Sequence, residues 1–425
     1  MSPSVPLLHR ARRGLLPAGQ WCVALALFSV PINKVATSGF IGLALIASLL
    51  GAGLRPRWRQ ALRDPVALGM LAWAGLMLLS ALHAWAGGDA GKALRSSDIW
   101  TFVMPLVIAS LLQTPRARWR ALAAFAVGIG LVMLVSWLMA AGLVPQRPVA
   151  ELLPSMRNTV FKEYTQQGLA TLMLFSLLMA VLPTLPRRGW QVAAGVIAAL
   201  ALINVSFLLG SRTTYLTLVP LALYWLWVGF RGRLSNLKML LVTGVLGLVL
   251  GATVLQSPSA ETRLNSLGDE ISGYVHEGQA TSTGIRLWLW QHTLEMIAEA
   301  PVIGHGLGQW KPLYEARMQQ VPGSEPYITG HPHQEMLLVL AEEGAVGLLV
   351  MLALLVALLR LAVRLPPAER HFVTSVVLIY FTAGLANGLI ADFTHRNTFV
   401  LLLSCIPSVA LLAAPRTAGG DRATA

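Results

Sequence analysis

Three basic side chains stand where helices are expected to begin, and each could act on a phosphate. They are Arg212 in LLGSRTTYL, Arg286 in STGIRLWLWQH and His333 in HPHQEMLLVL. Arginine presents a planar fork of donors that matches phosphate oxygens, and helix N-termini attract anions. An imidazole at a helix start is held neutral, the form that can accept a proton. Pro332 suits the first turn of that helix. Each residue also has a plainer reading. Arg212 could snorkel to lipid headgroups. Arg286, near the positive end of its helix dipole at a cost of about 0.5 kcal/mol, could be a solvated interfacial arginine. His333 could be a polar cap.

The same stretch tests a metal site. His331, His333 and Glu335 alternate, but positions i, i+2 and i+4 do not share one helix face. HExxH spacing is absent and no Cys or Asp cluster completes a shell, so neither metal nor cofactor is expected. GHGLGQW (304–310) is glycine-rich without the Lys-Ser/Thr of a nucleotide loop. Turns that bring backbone close to a cavity are the expectation there. Supporting candidates are His331, Gln334, Lys92, Arg95, Arg157, Lys162 and Tyr164, with Gln166 and Gln167 beside the last. For the basic residues and their neighbours, interfacial anchoring is the alternative. Glu342 and Glu343 fall inside an apolar run, where carboxylates are costly. Bonding to neighbouring helices is their plain role.

These residues need elements to position them, and composition says what kind. The chain of 425 residues is 55% hydrophobic and 12% charged, with a mean hydropathy of +0.64. A soluble chain is nearer a quarter charged, so much of this surface must face lipid. Two cysteines, Cys22 and Cys405, lie far apart in apolar runs and form no disulfide framework.

About 20 apolar residues cross a bilayer as a helix. Twelve spans are expected, near 17–33, 36–54, 65–85, 98–113, 120–143, 167–185, 190–208, 213–230, 236–256, 334–359, 371–390 and 397–414. The basic N-terminus resembles a signal peptide, but without a convincing cleavage site it reads as an uncleaved first span. The net charge of +13 would suggest nucleic acid in a soluble protein. Here it sets orientation, and no nucleic-acid partner is expected. Basic loops recur at every second connection and share a side with both termini, placing 20 of the 32 Lys and Arg there. That side is expected to be cytoplasmic.

Three parts follow: residues 1–256 with nine spans, an outer loop over 257–333, and residues 334–425 with three spans and a tail. The loop contains an expected helix over STGIRLWLWQHTLEMIAEAP, capped by Ser282 or Thr283 and stopped by Pro301. Ile285, Trp288, Leu289, His292 and Met296 share one of its faces. It is expected to lie on the membrane and cap a cavity.

Read in order around one large loop, GSRTTYL (210–216), GIRLWLWQHTLEMIAEAPVIGHGLGQW (284–310) and HPHQEMLLVLAEEGAVGL (331–348) resemble the O-antigen ligase and polymerase superfamily. The resemblance implies an all-α polytopic membrane protein with a GT-C-like glycosyltransferase fold. It implies a location in the bacterial inner membrane with the site on the periplasmic face. The donor would be a glycan on undecaprenyl diphosphate, and the acceptor of a ligase would be lipid A-core. By resemblance Arg212 and Arg286 hold the diphosphate and His333 is the essential histidine. The family motif is usually His-Asn; Gln334 keeps the amide with one more methylene. A ligase is the leading expectation. A polymerase shares the donor, and a lipid-linked glycan transporter is the alternative of another class. Transporters commonly show paired halves, and no such repeat is visible.

Overall fold

The structure, a computed structural model, describes residues 4–86, 100–152, 156–231, 281–321 and 327–413, with Ser324 and scattered positions between 235 and 273. Lys92 and Arg95 lie outside the described residues. Every regular element among the described residues is helical. In chain order these are α1 Ser4–Ser29, α2 Lys34–Leu50, α3 Leu54–Ala61, α4 Pro65–Ala86, α5 Trp100–Leu111, α6 Pro115–Ala140, α7 Val149–Leu152, α8 Tyr164–Val181 and α9 Arg188–Ile203. Then follow α10 Arg212–Phe230, α11 Ser282–Glu299, α12 Trp310–Met318, α13 Glu335–Val363, α14 Pro367–Gly384, α15 Phe393–Ser404 and α16 Val409–Ala413.

Six of these helices are long and apolar enough to cross a membrane: α4, α6, α8, α9 with its following turn, α10 and α13. A seventh is reached if α2 and α3, bent by 119°, count as one broken span. The other expected spans depart from that measure for local reasons. α5 has 12 residues. α14 ends at Gly384 rather than near residue 390. α15 carries His395, Arg396 and Asn397 near its start and ends after 12 residues, ahead of Pro407. The expected span 236–256 falls largely outside the described residues.

One apolar core joins most of the helices, with Trp73, Phe102, Phe125 and Phe399 almost wholly buried. A smaller core forms beside it. Leu289 and Met296 of α11 pack with Trp310, Tyr314 and Met318 of α12 onto Leu338 and Ala341 of α13. The expected apolar face of α11 is thus turned onto protein. His292 sits at its edge, where Nδ1 meets Glu295 Oε2 at 2.9 Å.

Two arginines of the basic loops do more than set orientation. Arg57 donates to the carbonyls of Ser48 (2.9 Å), Gly51 (3.1 Å) and Ala52 (2.8 Å), closing the end of α2. Arg118, 1% exposed, pairs with Asp64 at 2.7 Å and donates to the carbonyls of Leu112, Ser404 and Ile406. A helix C-terminus leaves carbonyls without partners, and a cation there satisfies both the hydrogen bonds and the dipole.

The longest helix is broken. Gly344 interrupts α13 with φ 66° and ψ −166°, and residues 301–306 dock backbone to backbone across the break. His305 N–H donates to Ala341 O (2.9 Å), Gly306 N–H to Glu342 O (2.8 Å), Ala345 N–H to Pro301 O (2.9 Å) and Val346 N–H to Val302 O (3.1 Å). A Cβ on Gly344 would sit 2.3 Å from the Val302 carbonyl, and one on Gly304 2.4 Å from that of Glu342. The glycines of GHGLGQW therefore bring backbone close to α13 itself. Glu342 joins the clasp by accepting the Trp310 N–H at 3.2 Å.

Candidate functional site

Arg212 is the first residue of α10, and its position is set by three neighbours. Ser211 caps the helix by accepting the Thr214 N–H at 3.2 Å, and its hydroxyl also meets Thr165 Oγ1 of α8 at 3.1 Å. Gly168 lets α8 approach, since a Cβ there would lie 2.5 Å from Thr214 Oγ1. Upstream, a π-turn over Asn204–Leu208 is held by Asn204 Nδ2 on Ser136 Oγ (3.0 Å) and Asn158 Nδ2 on Leu208 O (3.2 Å). Such turns often mark functional positions.

The snorkelling alternative for Arg212 gives way to an ion pair. Its Nη2 lies 2.7 Å from Glu270 Oε1 and its Nη1 3.0 Å from Oε2. Glu270 also accepts the Thr283 N–H at 3.0 Å, at the start of α11. Burial pushes the Glu270 carboxyl up, but hydrogen bonds from Arg212 and Thr283 outweigh it and bring it to about 2. Glu270 therefore ties the starts of α10 and α11 together.

Thr281, not Ser282 or Thr283, caps α11, accepting the Gly284 N–H at 3.0 Å. Arg286 consequently stands one turn in. It is half-buried, and among the described residues it has no ion pair within 4 Å. Burial disfavours its charge, Arg212 adds to that, and Tyr164 and Glu270 oppose it. Arg286, Arg212, Glu270 and Tyr164 thus share one electrostatic neighbourhood.

His333 precedes the helix that the sequence suggests it opens. α13 starts at Glu335 with Gln334 as its cap, the amide oxygen accepting the Leu337 N–H. Pro332 is upstream of the first turn, and its carbonyl accepts the Trp290 indole N–H at 3.1 Å. His333 has φ 53°, a left-handed backbone that costs a non-glycine residue about 1–3 kcal/mol and collects at functional sites. Its Nδ1 lies 3.4 Å from Asn387 Oδ1, which also accepts the Gly388 N–H at 3.1 Å. With the proton on Nδ1 this contact is a hydrogen bond, and Nε2 keeps a lone pair. Burial, then the Arg286 charge, lowers the His333 pKa, with Asn387 opposing.

His331 supports this arrangement. Its Nδ1 accepts the His333 N–H at 3.1 Å, and the two rings meet edge to face at 4.4 Å. Burial, then His333, lowers its pKa to about 4. Gly388 makes room for it: a Cβ there would lie 2.9 Å from His331 Nδ1.

The remaining candidates separate. Tyr164, at the start of α8, acts electrostatically on Arg286. Lys162 lines a cavity with Gln166, whose Nε2 donates to Asp392 Oδ2 at 2.7 Å. Gln167 is structural, accepting the Val160 N–H at 2.9 Å. Arg157 is exposed. Sequence reasoning missed Glu270, Asn387 and Asp392. The polar cluster Asn387, Asp392, His395, Arg396 and Asn397 between two apolar runs was the available signal for the last two. Among the described residues, no three His, Cys, Asp or Glu side chains gather to hold a metal ion.

Two half-buried arginines, Arg212 in an ion pair with Glu270, and an imidazole with its Nδ1 on Asn387 can bind a phosphate ester and take a proton beside it. Comparison with curated proteins returns no match. The family model described as O-antigen ligase matches residues 197–352, a little over a third of the chain. That stretch holds Arg212, Arg286, His331 and His333, and the match supports the O-antigen ligase family.

Proposed function

We propose that the protein is an O-antigen ligase of the bacterial inner membrane. It transfers glycan from undecaprenyl diphosphate to a sugar hydroxyl of lipid A-core at the periplasmic face. In this reading the chain has twelve spans in a GT-C-like arrangement, with both termini cytoplasmic. The observation that carries it is the Arg286 charge acting on the imidazole of His333, whose Nδ1 faces Asn387 Oδ1.

The acceptor hydroxyl gives its proton to His333 Nε2 while its oxygen bonds to the anomeric carbon. The bond from that carbon to the diphosphate breaks, and its electron pair leaves with the bridging oxygen. Attack from the opposite side inverts the anomeric configuration. Arg286 and Arg212 stabilise the charge growing on the leaving group, the step in which fixed donors in a poorly solvated site help most. Asn387 holds the ring in the tautomer that can accept, as general base catalysis requires. The arginines supply the electrostatic work, so neither nucleotide nor metal ion is needed.

The test uses purified full-length protein in detergent with undecaprenyl diphosphate glycan and lipid A-core, with and without chelator. One glycan joined to each acceptor, unaffected by chelator, is expected. Elongation of the lipid-linked glycan itself would make the protein a polymerase. Passage of the donor across a bilayer without any new glycosidic bond would overturn both readings.

A further inference from the structure

The cavity that Lys162 and Gln166 line, of about 530 Å³, lies between the α1–α2 turn, the segment ahead of α8 and the start of α15. That volume is in the range of small-ligand sites. Lys34, Arg147 and Lys162 line it, facing two carboxylates, Glu163 and Asp392. Val35, Phe161 and Phe393 form its apolar side. The reaction outlined above uses none of these.

The polar groups are unevenly occupied. Asp392 accepts from Gln166 Nε2 (2.7 Å) and from the His395 N–H (2.8 Å). Arg147 Nη1 donates to the Lys162 carbonyl at 3.1 Å. Glu163 is exposed to solvent. Asn33 satisfies the start of α2, accepting the Val35 N–H at 2.8 Å and the Ala36 N–H at 3.1 Å. Among the described residues, the ammonium groups of Lys34 and Lys162 have no ion pair within 4 Å and no hydrogen bond. Burial disfavours the Lys162 charge, Asp392 opposes that, and Lys34 adds to it. Like charges held together beside a cavity are relieved by an anion that enters it.

We propose that this cavity binds a phosphate group on the acceptor glycolipid, held by Lys34 and Lys162, while the apolar side receives the adjoining lipid. Residues 162–166 form a shared partition. Lys162 and Gln166 face the cavity, whereas Tyr164 between them acts on Arg286. Asp392, in the cavity wall, also acts on His331. An acceptor anchored here lies beside the segment that carries His331 and His333 without competing for the arginines. That the ligand is the acceptor rests on the glycan-transfer reading; that the cavity takes a phosphate does not.

The experiment measures binding first, in the full chain in detergent, by native mass spectrometry. The probes are a phosphorylated lipid A-core glycolipid, its enzymatically dephosphorylated form, and dioleoyl phosphatidic acid. The phosphorylated glycolipid should bind at least tenfold tighter than the dephosphorylated one. Lys34→Gln with Lys162→Gln should erase that difference, and Lys34→Arg with Lys162→Arg should keep it. In transfer assays the Gln pair should raise the KM for acceptor about tenfold and leave the KM for donor unchanged. Equal binding of the two glycolipids would overturn the proposal. Full displacement by an equal concentration of phosphatidic acid would overturn the acceptor assignment in favour of a bilayer phospholipid. Phosphate-dependent binding by a protein that transfers nothing would remove the ligase reading and keep the phosphate site.

Discussion

Replacing Gly344 by alanine probes the docking of the loop on α13 with a single methyl group. The backbone there, φ 66° and ψ −166°, belongs to a region that only glycine visits freely, costing another residue about 1–3 kcal/mol. The new Cβ would also lie 2.3 Å from the Val302 carbonyl carbon and oxygen, so segment 301–306 must shift. The two hydrogen bonds nearest the substitution, Ala345 N–H to Pro301 O and Val346 N–H to Val302 O, add about 1 kcal/mol each when lost. The sum is roughly 3–5 kcal/mol, or about two to four decades in the local opening equilibrium. Hydrogen exchange on the full chain in detergent reads this directly at the amides of His305, Gly306 and Val346. Transfer should fall in parallel, because the clasp positions α11, and with it Arg286, against His333. Gly130→Ala is the control, since a Cβ there meets nothing within 4 Å. Unchanged protection of the Gly306 and Val346 amides in Gly344→Ala would refute the reasoning.

His333→Ala should abolish transfer while the thermal unfolding curve stays within a few degrees of the wild type; retained activity removes His333 as the base. The acid limb of the transfer rate should have its midpoint below 6.5, because burial and Arg286 lower the His333 pKa, and Arg286→Gln should move that limb upward. Arg212→Ala and Arg286→Ala should each raise the KM for donor, and normal donor kinetics in both would refute the diphosphate assignment. Half-buried His331 has a pKa lowered from 6.5 to about 4. The unfolded chain therefore takes up its proton first as pH falls, and stability drops between pH 6.5 and 4 by up to roughly 3 kcal/mol. His331→Asn should flatten that slope. Asp64→Ala leaves the Arg118 charge buried without its carboxylate, which costs about 3–5 kcal/mol and should appear as a large loss of thermal stability.

The sequence carried the apolar helices and the shared apolar face of α11, because both follow from residue type and spacing, although that face packs on α12 and α13 rather than on the membrane. It was less legible where long-range pairing decides. Nothing near Arg212 signals that Glu270 will grip it, since the two are joined only by folding. The cap of α11 moved to Thr281 because three adjacent residues, Thr281, Ser282 and Thr283, offer equivalent hydroxyls. HPHQE reads as a helix start, yet Gln334 takes the cap and leaves His333 in a left-handed turn outside it. Glu342 looked like a costly charge in a span; the break at Gly344 lets loop amides reach it, a feature that hydropathy averages away. Arg57 and Arg118 looked like loop charges, and burial revealed them as partners of helix ends.

Arg118 also distributes stiffness along the molecule. Its guanidinium joins the segment before α4, the end of α5 and the turn after α15 in one place, with a carboxylate and three carbonyls as anchors. The other end of α15 is tied by Asp392, which accepts from Gln166 Nε2 and the His395 N–H, and by Arg396, whose Nη1 donates to the Ile390 carbonyl. A displacement of the segment before α4 or of the end of α5 is therefore passed to α15 through a single side chain, that of Arg118.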